Sequence, residues 1–264
     1  VSERLDAALA ARGLARSRTH AAALIAQGRV AVAGRVVTKP SARVDDAAEI
    51  RVATDHYVSR GAHKLLAALD GFGLDVSGRV ALDMGASTGG FTQVLRERGA
   101  EPVIAVDVGH GQLASEVAAD PAVRPVEGFN VRYMTPEALA EAGGVAQAPG
   151  VITGDLSFIS LTHVLPAVAR VAAADADIVL LVKPQFEVGR GGVREGIVTD
   201  AGARVTAALD VLWSAQDAGL GCLGVLPSPI AGSRGNRELL VHLAPGRGRR
   251  PDAWAGAVEA AARG

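Results

Sequence analysis

The chain has 264 residues, is 49% apolar and carries a formal charge of −1, enough for a sizeable core in one large domain or a small and a medium one. A single cysteine, Cys222, excludes an internal disulfide framework, and the six histidines form no zinc-ligand spacing with it, so no metal is expected. No apolar run approaches the ~18 residues of a membrane helix and no leader pattern is visible; a cytoplasmic, monomeric protein is expected.

Leu5, Leu9 and Leu14 predict a short helix ending near Gly13, and Ser17 caps a second one ending at Gly28, with Ala21, Ala22, Leu24 and Ile25 on its apolar face. Arg29 to Val32 and Val36-Val37 flank Ala33-Gly34, a hairpin signal, and Ala48 to Val52 adds a strand. Up to Val44 the basic residues are Arg4, Arg12, Arg16, Arg18, Arg29, Arg35, Lys39 and Arg43, against the acids Glu3 and Asp6. Such a basic unit on a near-neutral chain points to a polyanionic partner. The segment resembles the S4 RNA-binding domain in Arg4-Leu5-Asp6, Leu14 to Arg18, Ala23-Leu24-Ile25, Gly28-Arg29-Val30, Gly34 and Thr38-Lys39-Pro40. It has no aromatic residue before Tyr57, so recognition is expected to rest on phosphates and folded RNA shape. Arg4, Arg16, Arg18, Arg29 and Lys39, with Arg60 beyond the unit, are the candidate RNA contacts. The expected division is an S4-like domain over 1–55, a linker over 56–59 and an α/β domain over 60–264.

Ser59 is expected to cap a helix through Leu69. Strands are expected at Val80–Leu82, Val103–Val106, Val151–Thr153, Ile178–Val182, Cys222–Leu226 and Glu238–Leu243, with helices between them, notably Ser160–Ala172 and Asp200–Ala218. This alternation predicts a mostly parallel, doubly wound sheet covered on both faces. Its first turn, Asp83-Met84-Gly85-Ala86-Ser87-Thr88-Gly89-Gly90-Phe91, admits three readings. Gly85 to Gly89 matches the G-x-S-x-G nucleophile elbow of hydrolases, with Ser87 as nucleophile, but His163 and His242 are poorly placed for a triad. A dinucleotide fingerprint wants a glycine where Ser87 stands. The third reading, S-adenosylmethionine, needs no pyrophosphate site, and the turn resembles that of Rossmann-like methyltransferases. Under it Asp83 meets the methionine amino end, Asp107 after Val103–Val106 holds the ribose, and Gly85, Ser87, Thr88, Gly89, Gly90, Phe91 and Asp155 complete the cofactor site.

Asp155-Leu156-Ser157-Phe158 lacks the prolines of an N-methyltransferase motif, and Cys222 is alone, so both base-modifying chemistries lose support. Lys183 follows a strand, where α/β folds place ligand-facing residues. Lys64, Asp155, Lys183 and Glu238 occur in the order of the K-D-K-E tetrad of the FtsJ-like ribose 2′-O-methyltransferases. The expected roles are Lys183 as base or orienter of the hydroxyl, Lys64 and Glu238 positioning the ribose and holding Lys183, and Asp155 between cofactor and lysine. The two halves together resemble the TlyA family, in Ser59 to Leu65, Gly85 to Phe91, Asp107 to Leu113, Asp155 to Ser160, Val182 to Gly189 and Gly235 to Glu238. The resemblance implies methylation of cytidine 2′-hydroxyls in 23S and, in some members, 16S ribosomal RNA. Tyr57 stands where that family's linker often carries a tryptophan. A non-catalytic RNA-binding factor and a membrane-active haemolysin are the alternatives.

Overall fold

Short apolar runs bounded by turns become strands here, and the longer periodic runs become helices. The computed structural model describes residues 2–26, 28–53, 55–189, 193, 195–232 and 234–263. They form two units, Val1–His56 and Tyr57–Gly264.

In the first unit, β1 (Ser2–Arg4) leads into α1 (Leu5–Ala11) and α2 (Arg18–Ala26), followed by β2 (Val30–Val32), β3 (Arg35–Val36), β4 (Arg43–Asp45) and β5 (Ile50–Val52). Ser17 caps α2 as expected, its Oγ accepting from His20 N at 3.1 Å. The hairpin β2–β3 pairs with β5, while β1 pairs antiparallel with β4. Leu5, Leu9, Leu24, Ile25, Val30 and Val44 form the core; Leu14, expected on the first helix, lies beyond it and is exposed.

In the second unit, α3 (Ala62–Phe72) precedes β6 (Ala81–Met84), α4 (Gly90–Glu97), β7 (Val103–Val106), α5 (Ser115–Ala118), β8 (Val123–Val126), α6 (Pro136–Gly143) and β9 (Val151–Gly154). Then follow α7 (Leu165–Val171), β10 (Asp177–Val182), α8 (Pro184–Glu187), α9 (Ala201–Asp217), β11 (Leu220–Pro227), β12 (Leu239–Pro245) and α10 (Ala255–Arg263). The sheet order is β11-β12-β10-β9-β6-β7-β8, with β12 alone antiparallel to its neighbours. The chain order reverses between β6 and β9, and in such sheets ligands bind beyond the strand ends at that reversal.

Alternate strand residues serve opposite faces. Leu82, Met84, Ile104, Ile152 and Leu180 pack with Leu165, Val168, Leu212 and Val258 on one side. Ala81, Val103, Val151, Val179 and Leu181 pack with Leu65, Leu69, Val94 and Leu95 on the other.

The structure corrects four local expectations. Ser59 stands ahead of the helix rather than at its first residue: its Oγ accepts from Gly61 N at 3.1 Å, and α3 starts at Ala62 after tight turns in which Ala62 N, His63 N and Lys64 N bond the carbonyls of Ser59, Arg60 and Gly61. Ser160–Ala172 is broken, because Ser160 caps a short turn at Leu161–His163 and Pro166, lacking an N–H, sits in the first turn of α7. Glu238 stands just before β12 rather than in it. β8 has no counterpart in the expected strands, since Arg124 and Pro125 interrupt its apolar pattern; Pro125 is tolerated because β8 is an edge strand. No described helix is long and apolar enough to cross a membrane.

Candidate active site

At the end of β6 the chain must turn sharply against the loop that leaves β9. Gly85 makes this possible at φ +78°: a Cβ there would lie 3.1 Å from Leu156 Cδ2 and 3.3 Å from the Asp155 carbonyl oxygen. The turn is then fixed from β7. Asp107 Oδ2 accepts from Ser87 N and Oδ1 from Gly109 N, both at 2.8 Å. Gly85, Asp107, Gln112, Phe129, Val131, Leu156 and Ile159 are among the walls of a cavity of about 580 Å³. Apolar surfaces on both sides and a carboxylate at one edge suit an adenine and a ribose.

A second chamber of about 550 Å³ includes Arg60, Lys64, Asp155, Ser157, Lys183, Arg234, Asn236 and Glu238 in its lining. A smaller space of about 200 Å³ lies against Gly85, Ala86, Ser87, Thr88, Gly90 and Phe91, and also against Asp155, Ser157 and Lys183. Asp155 and Ser157 line all three cavities, so the three spaces meet at this pair.

The four charged residues of the predicted tetrad converge there from α3 and three strand ends. The 5% exposed Lys64 places Nζ 2.7 Å from Glu238 Oε2 and 3.5 Å from Asp155 Oδ2. Lys183 Nζ lies 2.6 Å from Asp155 Oδ1, at an angle too oblique for a hydrogen bond, and donates to Ser157 Oγ at 2.9 Å and the Asp155 carbonyl at 3.3 Å. The register puts these side chains together: Leu239 pairs with Val182, so Glu238 and Lys183 flank the same rung of the sheet. The residues form a chain, Glu238–Lys64–Asp155–Lys183. Glu238 thus holds Lys64, not Lys183 as expected, because Asp155 stands between the lysines and bridges them. Buried charges persist only when so compensated.

Asp83 departs from expectation altogether. It sits inside β6, and strand alternation turns it under α4 rather than into the cleft. It is 1% exposed and accepts from Thr92 Oγ1 at 2.7 Å and Thr153 Oγ1 at 3.0 Å. Burial pushes its carboxyl up to about 6, with the two hydroxyls opposing that shift. Gly89 also faces away from the cavities and caps α4; a Cβ there would lie 2.8 Å from Leu113 Cδ1. Ser87 Oγ meets Gln112 Oε1 at 3.3 Å, not an imidazole. His242 pairs with Asp177 at the opposite end of the sheet, so the hydrolase reading fails.

Sequence reasoning missed several side chains at the site. Ser157, the partner of Lys183, had no signal beyond its neighbour Asp155. Phe158, 92% exposed with φ +65°, lines both large cavities, its ring 5.3 Å from that of Phe186. Glu187 accepts from Ser160 Oγ and from Leu161 N, fastening the loop after β9 to α8; burial raises its carboxyl above the usual range. Cys222 is buried, its thiol pushed up to about 11 by desolvation, as befits a structural residue.

Of the predicted RNA contacts, Arg60 lines the second chamber; the other five belong to the first unit. Arg4 is exposed but clamped to Asp6 through two bonds, with Arg18 3.5 Å from the same carboxylate. Arg29 donates twice to the Ala53 carbonyl. Arg16 and Lys39 are exposed.

Residues 57–244 match the FtsJ-like methyltransferase family and residues 3–50 the S4 domain. The chain is 50% identical to the 16S/23S rRNA (cytidine-2′-O)-methyltransferase TlyA of Mycobacterium tuberculosis, over 91% of this chain and 89% of that protein. The chain belongs to the TlyA family. Family resemblance extends to Hemolysin A of Brachyspira hyodysenteriae, 37% identical over 90% of this chain and 98% of that one. A solved structure from Streptococcus thermophilus, named as a hemolysin, is 37% identical and superposes with a TM-score of 0.77, covering 99% of this chain and 96% of that one. The TlyA-family fold thus accounts for both units.

Proposed function

We propose that this protein transfers the methyl group of S-adenosylmethionine to the 2′-hydroxyl of a cytidine in 23S ribosomal RNA. The observation that carries this reading is the Glu238–Lys64–Asp155–Lys183 chain at the junction of an adenosine-sized cavity and a second, cationic chamber. The name of the M. tuberculosis relative supports the substrate, and the S4 domain supports an RNA partner. The protein would act as a single copy in the cytoplasm, on ribosomal subunits.

The residues fit the cofactor. Asp107 lines the larger cavity, where its remaining lone pairs can accept hydrogen bonds from ribose hydroxyls. Leu156, Ile159 and Phe129 offer apolar surface to the base. Ser87 and Thr88 line the narrower space, which suits the methionine arm. When bound, the cofactor supplies an electrophilic methyl on a sulfonium, whose C–S bonding pair returns to sulfur as the new C–O bond forms.

A ribose hydroxyl is a weak acid and a poor nucleophile, so its proton must be taken as the methyl is attacked. Lys183 accepts that proton, having first given up its own to solvent. Its Nζ is held between Ser157 Oγ and the Asp155 carbonyl, which aims the remaining valence at the chamber. Asp155 receives charge from both sides and stabilises the ammonium that results. Lys64, locked by Glu238, fixes Asp155 in turn.

The test is tritium transfer from labelled S-adenosylmethionine to ribosomal subunits from a strain lacking the modification, with Lys183→Ala alongside. Label in large-subunit RNA that maps to a cytidine 2′-O-methyl and disappears with the variant is expected. Small subunits in the same assay decide whether 16S RNA is a second substrate. No label from protein shown to bind the cofactor would overturn the reading.

A further inference from the structure

The chamber's charges do not balance. Lys64 and Lys183 are matched by Glu238 and Asp155, while Arg60 and Arg234 also line it and neither has a carboxylate partner among the described residues. Both are exposed. Counted over the described residues of its lining, the chamber therefore carries two cations in excess.

Arg234 is nonetheless held in place. Its side chain runs over the backbone of Gly196: a Cβ at that residue would collide with the guanidinium and lie 3.0 Å from Arg234 Cδ. Gly196 adopts φ +82°, so both conformation and space favour glycine there. The segment beneath is clasped by the buried Asn236, whose Oδ1 accepts from Val198 N at 3.0 Å and whose Nδ2 donates to the Gly196 carbonyl at 2.7 Å. Asn236 O also accepts from Gly232 N at 2.8 Å, closing the turn that carries Arg234. The nearby Arg237 is used differently, donating to the Arg263 carbonyl at the end of α10. Arg234 is thus a guanidinium set against Gly196 at the chamber, with no carboxylate partner among the described residues.

We propose that Arg234 binds a backbone phosphate of the RNA strand entering this chamber, with Arg60 as a second phosphate contact. The inference rests on the chamber being the RNA acceptor site. A nucleotide inside a strand is flanked by two phosphates, which match the two excess cations. Guanidinium is suited to the task because it can donate two parallel hydrogen bonds to one phosphate. Among the described residues neither arginine is bonded to the tetrad, so their contribution lies in holding the strand rather than in proton transfer.

The experiment uses the full chain and a radiolabelled large-subunit RNA transcript, with binding measured across a series of KCl concentrations and methyl transfer measured in parallel. For Arg234→Gln the expected result is a dissociation constant raised on the order of three- to tenfold near 0.1 M salt, with the slope of log K against log salt shallower by about 0.7. Maximal turnover and affinity for S-adenosylmethionine stay at the wild-type level, and Arg234→Lys retains the salt slope. A slope and affinity unchanged in Arg234→Gln, with wild-type enzyme active, would overturn the proposal and leave the methyltransferase reading intact. A shallower slope in Arg234→Gln, with no methyl transfer by either protein, would support the phosphate contact and sink the reading of the reaction.

Discussion

Two carboxylates flank the point where strand order reverses, and their surroundings differ completely. Asp83 lies inside β6, beneath α4, with two threonine hydroxyls as its partners. Asp155 stands one residue beyond β9, between two lysines and against all three cavities. Hydroxyls can satisfy a carboxyl in either protonation state, since each can rotate to donate or accept. Ammonium groups stabilise only the anion. The buried site tolerates a proton and the cleft site is built around a charge. Two positions along adjacent strands, one inside the sheet and one beyond its end, separate an acid of the core from an acid of the cleft.

The largest effect belongs to the cleft. Lys183→Ala removes the proposed proton acceptor and is expected to lower turnover by about 10²–10⁴-fold, with S-adenosylmethionine binding retained by calorimetry. Turnover close to wild type would show that the lysine pair is structural, and the contrast between the two carboxylates would collapse.

Next comes the support of that charge. Lys64→Met leaves Glu238, 4% exposed, without its partner at 2.7 Å. Breaking a buried pair from one side costs about 3–5 kcal/mol, so urea unfolding of the variant should show a loss of that order. Lys64→Met combined with Glu238→Leu should recover much of the stability while turnover stays depressed. A combined variant as unstable as the single one would mean that packing, not charge pairing, dominates there.

These contrasts were unequally legible in the sequence. The strand ends announced themselves, because apolar runs such as Ile178–Val182 stop at a charged residue. That located Lys183 and Asp155, and order along the chain supplied Lys64 and Glu238. Which lysine meets which acid could not be read, since it depends on the register of β12 against β10 and on the entry of α3. Asp83 was misassigned because its motif neighbours do line a cavity; only the parity of β6 shows that its own side chain turns the other way. Ser157 and Phe158 lie in a loop with no period to reveal direction. Arg234 sits in a glycine-rich turn whose course is set by Asn236, a partner sequence spacing does not disclose. In the first unit the helix cap at Ser17 and the hairpin were visible from local chemistry, whereas β1 pairing with β4 spans some forty residues and leaves no local mark.

The smallest effect concerns Asp83 and is read in stability, not turnover. Its carboxyl is raised to about 6 from 3.8, so the folded protein keeps this proton where the unfolded chain has released it. Between about pH 4 and pH 6 the folded state therefore binds more protons, and its stability must fall as pH rises. A shift of about two units corresponds to roughly 3 kcal/mol over the window. Asp83→Asn has no proton to lose there, and the threonine hydroxyls can reorient to meet the amide. The stability of Asp83→Asn relative to wild type should therefore improve by about that amount between pH 4 and pH 7 in urea titrations. Glu187, also raised by burial, tilts both profiles alike and cancels in the difference. Asp177, held down to about 2 with His242 and Arg79 against it, loses its contribution only below the window. Parallel profiles for the two proteins would mean that Asp83 is ionised in the fold across this range, and that its two hydroxyls alone hold a buried anion as firmly as the lysines hold Asp155.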